Sequence, residues 1–346
     1  MRGLKKWVKR EEKMGPYRKS RMKSPRLFSG LAFAMLFLPT LVFAQQAAVV
    51  EEEKFSLLVG ERTWLSKGKS DFNIAGVGGV PNVLSELIWD DVDSTVVELS
   101  ANALFYQRWM WSVEVGFGAI SGGTLRDLDF FGNNRTFLFS ESISTADDDG
   151  LFYVSVDLGY RILSWAVRDK KPRSSLDLLI GYQHWREKYI ATKGVQTQDP
   201  FGLIGFVGPF PDQGKAITED FTWDSLRVGA RANIEILPKF SFRGRLLFVP
   251  WTHFKLEDIH HLRTDLRQDP SSRATADGGF GVLFDATLSY NVWRGLSIEA
   301  GYQLWDISSG EGTITARSLI VGDVQEPFNE ANSTRHGLII GINYLF

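Results

Sequence analysis

Residues 152–162 read Phe152-Tyr153-Val154-Ser155-Val156-Asp157-Leu158-Gly159-Tyr160-Arg161-Ile162. One set of alternate positions is Phe152, Val154, Val156, Leu158, Tyr160 and Ile162; the other is Tyr153, Ser155, Asp157, Gly159 and Arg161. Successive side chains of a strand point to opposite faces, so the stretch is a β-strand with one apolar and one polar surface. The pattern recurs. In 226–236, Leu226, Val228, Ala230, Ala232, Ile234 and Ile236 alternate with Arg227, Gly229, Arg231, Asn233 and Glu235. In 282–292 the polar side carries Asp285, Thr287, Ser289 and Asn291.

A soluble sandwich also alternates, but its apolar side faces a core. Here the apolar sides are long and end in aromatics, while the polar sides carry charge in every segment. Segments of about ten residues, apolar outside and polar inside, suit a lipid-embedded barrel. In hydrocarbon only helices and closed barrels satisfy every backbone group. After Ala44 no apolar run approaches the roughly 18 residues of a spanning helix. The last residues, His336, Leu338, Ile340, Ile342, Tyr344 and Phe346, alternate to a terminal Phe, a common ending for outer-membrane barrels.

Upstream of the strands the chain changes character. Residues 1–26 hold eleven Lys/Arg against Glu11 and Glu12, and an apolar run follows from Leu27 to Phe43. Val42-Phe43-Ala44 then resembles a small-residue cleavage site, so 1–44 is expected to be a signal peptide. A retained membrane anchor fits less well, because Pro39 interrupts the run. The expected organisation is signal peptide 1–44, a short lead-in 45–53, and one barrel domain 54–346, in the outer membrane of a Gram-negative-type bacterium.

Residues 45–346 retain 28 Lys/Arg and 39 Asp/Glu, a net charge near -11. Binding to nucleic acid draws on clustered cations, so no nucleic-acid partner is expected. The chain has no cysteine. That excludes a disulfide framework, thiolate nucleophiles and Cys-ligated zinc.

Short connections are expected near Gln107-Arg108, Asp169–Arg173, Leu237–Lys239 and Trp293-Arg294. Long polar ones are expected near 67–81, 124–148, 191–217, 258–277 and 313–332. Four short and five long connections give ten antiparallel strands. With both termini on the periplasmic side, the long loops are extracellular.

Two of those loops hold the residues fit for chemistry. One contains Arg126-Asp127-Leu128-Asp129-Phe130, the other Glu257-Asp258-Ile259-His260-His261. Each acidic motif sits at an extracellular strand end, so the two can meet across the barrel mouth. A histidine oriented by one carboxylate and facing another can take a proton from water near neutral pH. The bland alternative is a solvated acidic surface; a weaker one is a metal site on Asp258, His260 and His261.

From about residue 55 to Phe346 the chain resembles the omptins, ten-stranded outer-membrane endopeptidases. The resemblance is carried by Trp64-Leu65-Ser66 with Lys67–Asp71, by Val83–Trp89, by Gly122–Asp129 ending in an Asp-x-Asp pair, by Gly181-Tyr182-Gln183, and by Asp258-Ile259-His260. It implies that Asp127 and His260 flank an attacking water, that Asp258 orients His260, and that Asp129 supports the other side. No Gly-x-Ser-x-Gly elbow offers a rival nucleophile. It also implies that Asp71 is one acid of a pocket for a basic substrate side chain, although the second acidic position is Leu256 here. Lipopolysaccharide, which omptins bind outside and need for activity, would meet Tyr182, Arg186 and Lys188, with His184 in place of an acid and Asp220 at the position of a second family arginine. No metal or other cofactor is implied. The expected partners are a peptide or protein substrate and outer-membrane lipid, with the chain a monomer.

Trp109, Trp111, Phe117, Trp251 and Trp305 read as interface belts or packed lumen residues. Two other functions compete with the endopeptidase: a catalytically silent barrel serving as adhesin or receptor, and a small porin. Lumen charges of both signs, among them Arg227, Arg231, Glu235, Arg243, Arg245, Asp285 and Glu299, argue against a wide channel.

Overall fold

The computed structural model describes residues 55–147, 150–166 and 174–346. The expected signal peptide, the lead-in and the connection near Asp169–Arg173 lie outside the described residues. In order, the strands are β1 (Phe55–Ile74), β2 (Ser85–Phe105), β3 (Trp109–Gly132), β4 (Thr136–Asp147), β5 (Gly150–Trp165), β6 (Ser174–Gln198), β7 (Gly208–Pro209), β8 (Lys215–Leu237), β9 (Phe240–His260), β10 (Ser272–Gly278), β11 (Gly281–Trp293), β12 (Leu296–Ser308), β13 (Gly312–Ser318) and β14 (Gly322–Leu345). Among the described residues the strand pairs are antiparallel, from β1–β2 round to β14, which pairs back with β1 and closes the sheet. Among the described residues no helix is long and apolar enough to cross a membrane.

Among the described residues, fourteen strands stand where ten were expected. The excess comes from interruption rather than extra lanes. β4 and β5 both run between β3 and β6. β10 and β11 both pair with β9, while β12 and β13 both pair with β14. Between β10 and β11, Gly278 and Gly279 take φ of 90° and 94°, a left-handed region open to glycine, and this breaks the ladder. β7 is a two-residue addition beside β6.

The expected long loops are also mostly strand. β6 has 25 residues and β3 has 24, whereas a crossing takes about 9–11. Polar composition was a poor guide to loops here, because strands standing above the lipid are free to carry polar residues outward.

Outward side chains mark the lipid-facing band. They include Trp109, Trp111, Val113 and Phe117 on β3, Val156 and Leu158 on β5, and Leu178 and Ile180 on β6. Leu226 and Val228 on β8, and Leu338, Ile340 and Ile342 on β14, complete it. The alternation that the sequence displays therefore faces the way expected.

The lumen inside this band is filled. Arg227 makes two hydrogen bonds to Asp157, at 2.7 and 2.6 Å. Arg245 bridges Glu114 and Asp285, each at 2.5 Å. Arg62 meets Glu98 at 2.5 Å, Arg161 meets Asp177 at 2.8 Å, and Arg243 meets Glu299 at 3.2 Å. Above lies a layer of Trp64, Tyr153, Trp185 and Trp305. Arg335 with Glu187 comes next, and then Trp89 with Tyr189 and a cluster of Phe72, Phe221, Phe254 and Phe328. This stack is the floor on which the mouth is built.

Candidate active site

At the mouth, β3 delivers two carboxylates by breaking its own alternation. In the band its odd-numbered residues face lipid, from Trp109 to Phe117, and even ones such as Ser112 and Glu114 are buried. Asp127 and Asp129 are also odd, and at unbroken register they would point outward. The β2–β3 register shifts between Asp90 and Ser94, opposite Gly122 and Gly123. Gly123 has φ of 140°, and a Cβ there would meet Val92 at 3.0 Å. This glycine bulge turns Leu125, Asp127 and Asp129 inward and Arg126 outward.

Asp127 then stands opposite Leu87 and Ser142, and Asp129 opposite Ser85 and Ser140. The Ser85 and Ser140 hydroxyls donate to Asp129. Across the mouth, β9 changes face as well. Arg245, Leu247 and Val249 are buried in the band, and the register with β8 then gains a residue on β9 between Phe248 and Trp251. Above it Phe254, Leu256 and Asp258 are buried, with His260 on the same side. Asp258 Oδ2 lies 2.9 Å from His260 Nε2 and accepts from Ser272 Oγ at 2.9 Å. The His260 backbone N–H donates to Ser271 Oγ at 3.0 Å. Asp127, Asp129, Asp258 and His260 line one cleft of about 720 Å³.

All four lie above the lipid-facing band, and their electrostatics is dominated by unbalanced acid. Burial, reinforced by Asp129, pushes the Asp127 carboxyl up to about 8, with His260 pulling the other way. Burial also raises Asp129, against the hydrogen bonds from Ser85 and Ser140. For His260, burial favours the neutral ring, but the charge of Asp258 and the hydrogen bond to it outweigh this and lift the imidazole to about 9. His261, the neighbour considered for a metal site, turns aside to Thr218 Oγ1 at 2.8 Å.

A fifth group belongs to this cluster and was missed from sequence. Glu219 on β8 stands opposite Asp258 in register and is fully buried. Its Oε2 accepts from the Trp89 indole at 2.6 Å. Burial and the charge of Asp258 hold its carboxyl well above the ordinary range. Extending the parity of Leu226 and Val228 up β8 would have placed Asp220 outside and Glu219 inside.

Asp71, expected in the substrate pocket, is not in the cleft. On β1 the inward residues are Trp64, Ser66, Ser70 and Phe72, so Asp71 faces outward, 3.4 Å from Lys69 and accepting from Asn332 at 3.0 Å. Phe72 and Ile74 line the cleft instead. On the outer wall, Tyr182 and Arg186 are exposed and Lys188 is half-buried on the same face. Arg186 is bound to Asp220, and both Tyr182 and His184 to Asp224.

Among solved structures, the outer membrane protease OmpT from Escherichia coli is similar, with a TM-score of 0.70 over 86% of this chain and 99% of OmpT, at 13% identity. That identity speaks for the fold alone. The NalP translocator domain from Neisseria meningitidis (TM-score 0.35, 10% identity, 83% of this chain and 88% of that one) and a FadL homologue from Pseudomonas aeruginosa (0.29, 9%, 84% and 90%) are weaker likenesses that carry no argument. No curated protein sequence matches. The sequence model of the Protochlamydia outer membrane protein family (Pom) matches residues 61–346, nearly the whole barrel. This closed, lipid-faced barrel is therefore an outer-membrane protein, and the chain belongs to the Protochlamydia outer membrane protein family.

Proposed function

We propose that the barrel is an omptin-like endopeptidase, hydrolysing peptide bonds at an extracellular mouth without a covalent intermediate. The observation that carries this reading is one cleft shared by Asp127, Asp129 and a histidine hydrogen-bonded to Asp258. A water held between Asp127 and His260 gives a proton to the neutral imidazole as its oxygen adds to the peptide carbonyl. Asp258 holds the ring in orientation and stabilises the imidazolium formed. The imidazolium then returns the proton to the leaving amine nitrogen as the carbon–nitrogen bond breaks. Asp129, held by Ser85 and Ser140, fixes the far side.

Outer-membrane lipid, lipopolysaccharide in particular, would contact Tyr182, Arg186 and Lys188. These stand just above the apolar band, where cations suit lipid phosphates. The acids Asp220 and Asp224 alongside make this wall less cationic than the sequence motif alone suggests.

The test is to refold the protein with lipopolysaccharide and expose it to a random peptide library, reading products by mass spectrometry. Cleavage by wild type and its loss in His260→Ala, with heat-modifiable migration retained, is the expected result. Equal cleavage by both proteins would refute the mechanism, and no cleavage by either would favour a silent receptor barrel.

A further inference from the structure

The cleft beside the Asp/His cluster has walls of a different chemistry. Phe72, Leu87 and Ile314 form its lower part, and Ile74, Phe206 and Phe210 continue it toward the rim. Phe72 packs on Phe221 and Phe328, with ring centroids 6.0 and 5.9 Å apart, and Leu256 belongs to the same buried cluster. The apolar wall is thus backed by further apolar side chains and cannot easily be rewetted. Among the described residues that line the cleft, the acids outside the Asp/His cluster are Asp212 and Glu326. Asp212 is exposed, and Glu326 faces the apolar wall with burial disfavouring its ionised form.

We propose that this wall is the specificity subsite, taking a large apolar or aromatic side chain of the peptide next to the bond that is cut. The proposal rests on the endopeptidase reading and adds the substrate class. A phenylalanine or leucine side chain would cover the wall and leave no polar atom without a partner. A lysine or arginine on this wall would bring a charge out of water against hydrocarbon, with Glu326 as the acid facing it outside the Asp/His cluster. Such a cation loses hydration that a single, partly desolvated acid does not replace. On the inner faces of β1 and β9, Phe72 and Leu256 are buried in one apolar cluster and neither carries charge.

Two peptides that differ only in Phe or Arg at one central position test this on the full-length refolded barrel. Isothermal titration calorimetry reads binding, and mass spectrometry of the same mixtures reads cleavage. The Phe peptide is expected to bind at least about tenfold more tightly and to be cut beside the Phe. Ile74→Glu adds a carboxylate at a half-buried position of the wall and, with folding checked by heat-modifiable migration, is expected to shrink or invert the preference. Equal or tighter binding of the Arg peptide by wild type overturns the subsite, and so does an unchanged preference in Ile74→Glu. Preferential binding of the Phe peptide without cleavage leaves the subsite standing and removes the hydrolytic reading. Failure to bind either peptide overturns both.

Discussion

Within the lipid-level lumen, Glu98, Glu114, Asp157, Asp177, Asp285 and Glu299 are each bonded to an arginine. At the mouth, Asp127, Asp129, Asp258 and Glu219 crowd around His260, and the nearby Arg263 is already bound to Asp265 at 2.7 and 2.6 Å. Both regions are buried and rich in carboxylates. One is neutralised residue by residue, and the other is left short of positive charge. A structural network has every reason to be paired, because an unmatched buried charge is costly. The imbalance at the mouth is a cost that the fold tolerates at the place where the proposed proton transfer would occur.

Breaking each region separately sharpens the contrast. The largest effect is expected at the mouth: Asp127→Ala or His260→Ala should lower kcat/KM by about 10²–10⁴-fold. The double variant should lose little more, because the groups act as one unit. Barrel assembly, read by heat-modifiable migration, should survive. In the lumen the outcome reverses. Arg227→Met strands Asp157 beneath the aromatic layer and should cost about 3–5 kcal/mol of stability, read by urea unfolding of the refolded barrel. Cleavage per folded molecule should stay near wild type.

A pH series separates the regions without mutation. At pH 6 both Asp127 and His260 are protonated, since they titrate near 8 and 9, and the ring cannot accept a proton. Cleavage should therefore rise as pH goes from 6 to 9. Stability should run the other way. His260 titrates higher in the folded state, so its ion pair stabilises fully below 6.5 and that contribution is lost as pH rises through about 9. Asp127 likewise holds a proton between 3.8 and about 8 that the unfolded chain gives up, so its contribution also falls with rising pH. Activity and stability moving together across this range would contradict the assignment.

The smallest effect is expected for Glu219→Gln. The neutral amide can still accept from Trp89 and resembles the protonated carboxyl that burial and Asp258 favour. The rate should stay within a few-fold of wild type, and the alkaline rise should move to lower pH only slightly. A large loss of rate would mean that Glu219 works as a carboxylate.

The fold was legible because lipid imposes one rule on long segments. Phe152–Ile162 and Leu226–Ile236 alternate without error, and the side of the sheet that each residue faces follows. Legibility fell above the band, where no lipid enforces the pattern. There the polar stretches that resembled loops are strands, and a bulge at Gly122-Gly123 reverses the parity of β3. Asp127 and Asp129 were reached through their resemblance to a motif, because parity counted from Trp111 would have turned them outward. Asp71 fails for the converse reason: where the β1–β2 register shifts between Gly68 and Ser70 the extra residue is on β2, so the parity of β1 is kept and Asp71 stays outside. Glu219 needed no motif, only a strand face read one turn of the pattern further.

The seam of the barrel carries a consequence for how the molecule is made. Leu58 pairs with Leu345, and the Phe346 amide donates to the Leu57 carbonyl at 2.8 Å. Two strands far apart in the sequence are thus neighbours, and the β1 amides that face this seam wait for their partners until β14 has been made. A partly assembled sheet would offer two unmatched edges to hydrocarbon, which has no hydrogen bonds to give. Insertion should therefore behave as a single late event, with strands gathering at the membrane surface and crossing together. A point change in the β1–β14 seam should slow that event far more than the same change in the middle of a hairpin such as β2–β3, whose partners meet early across three residues of turn.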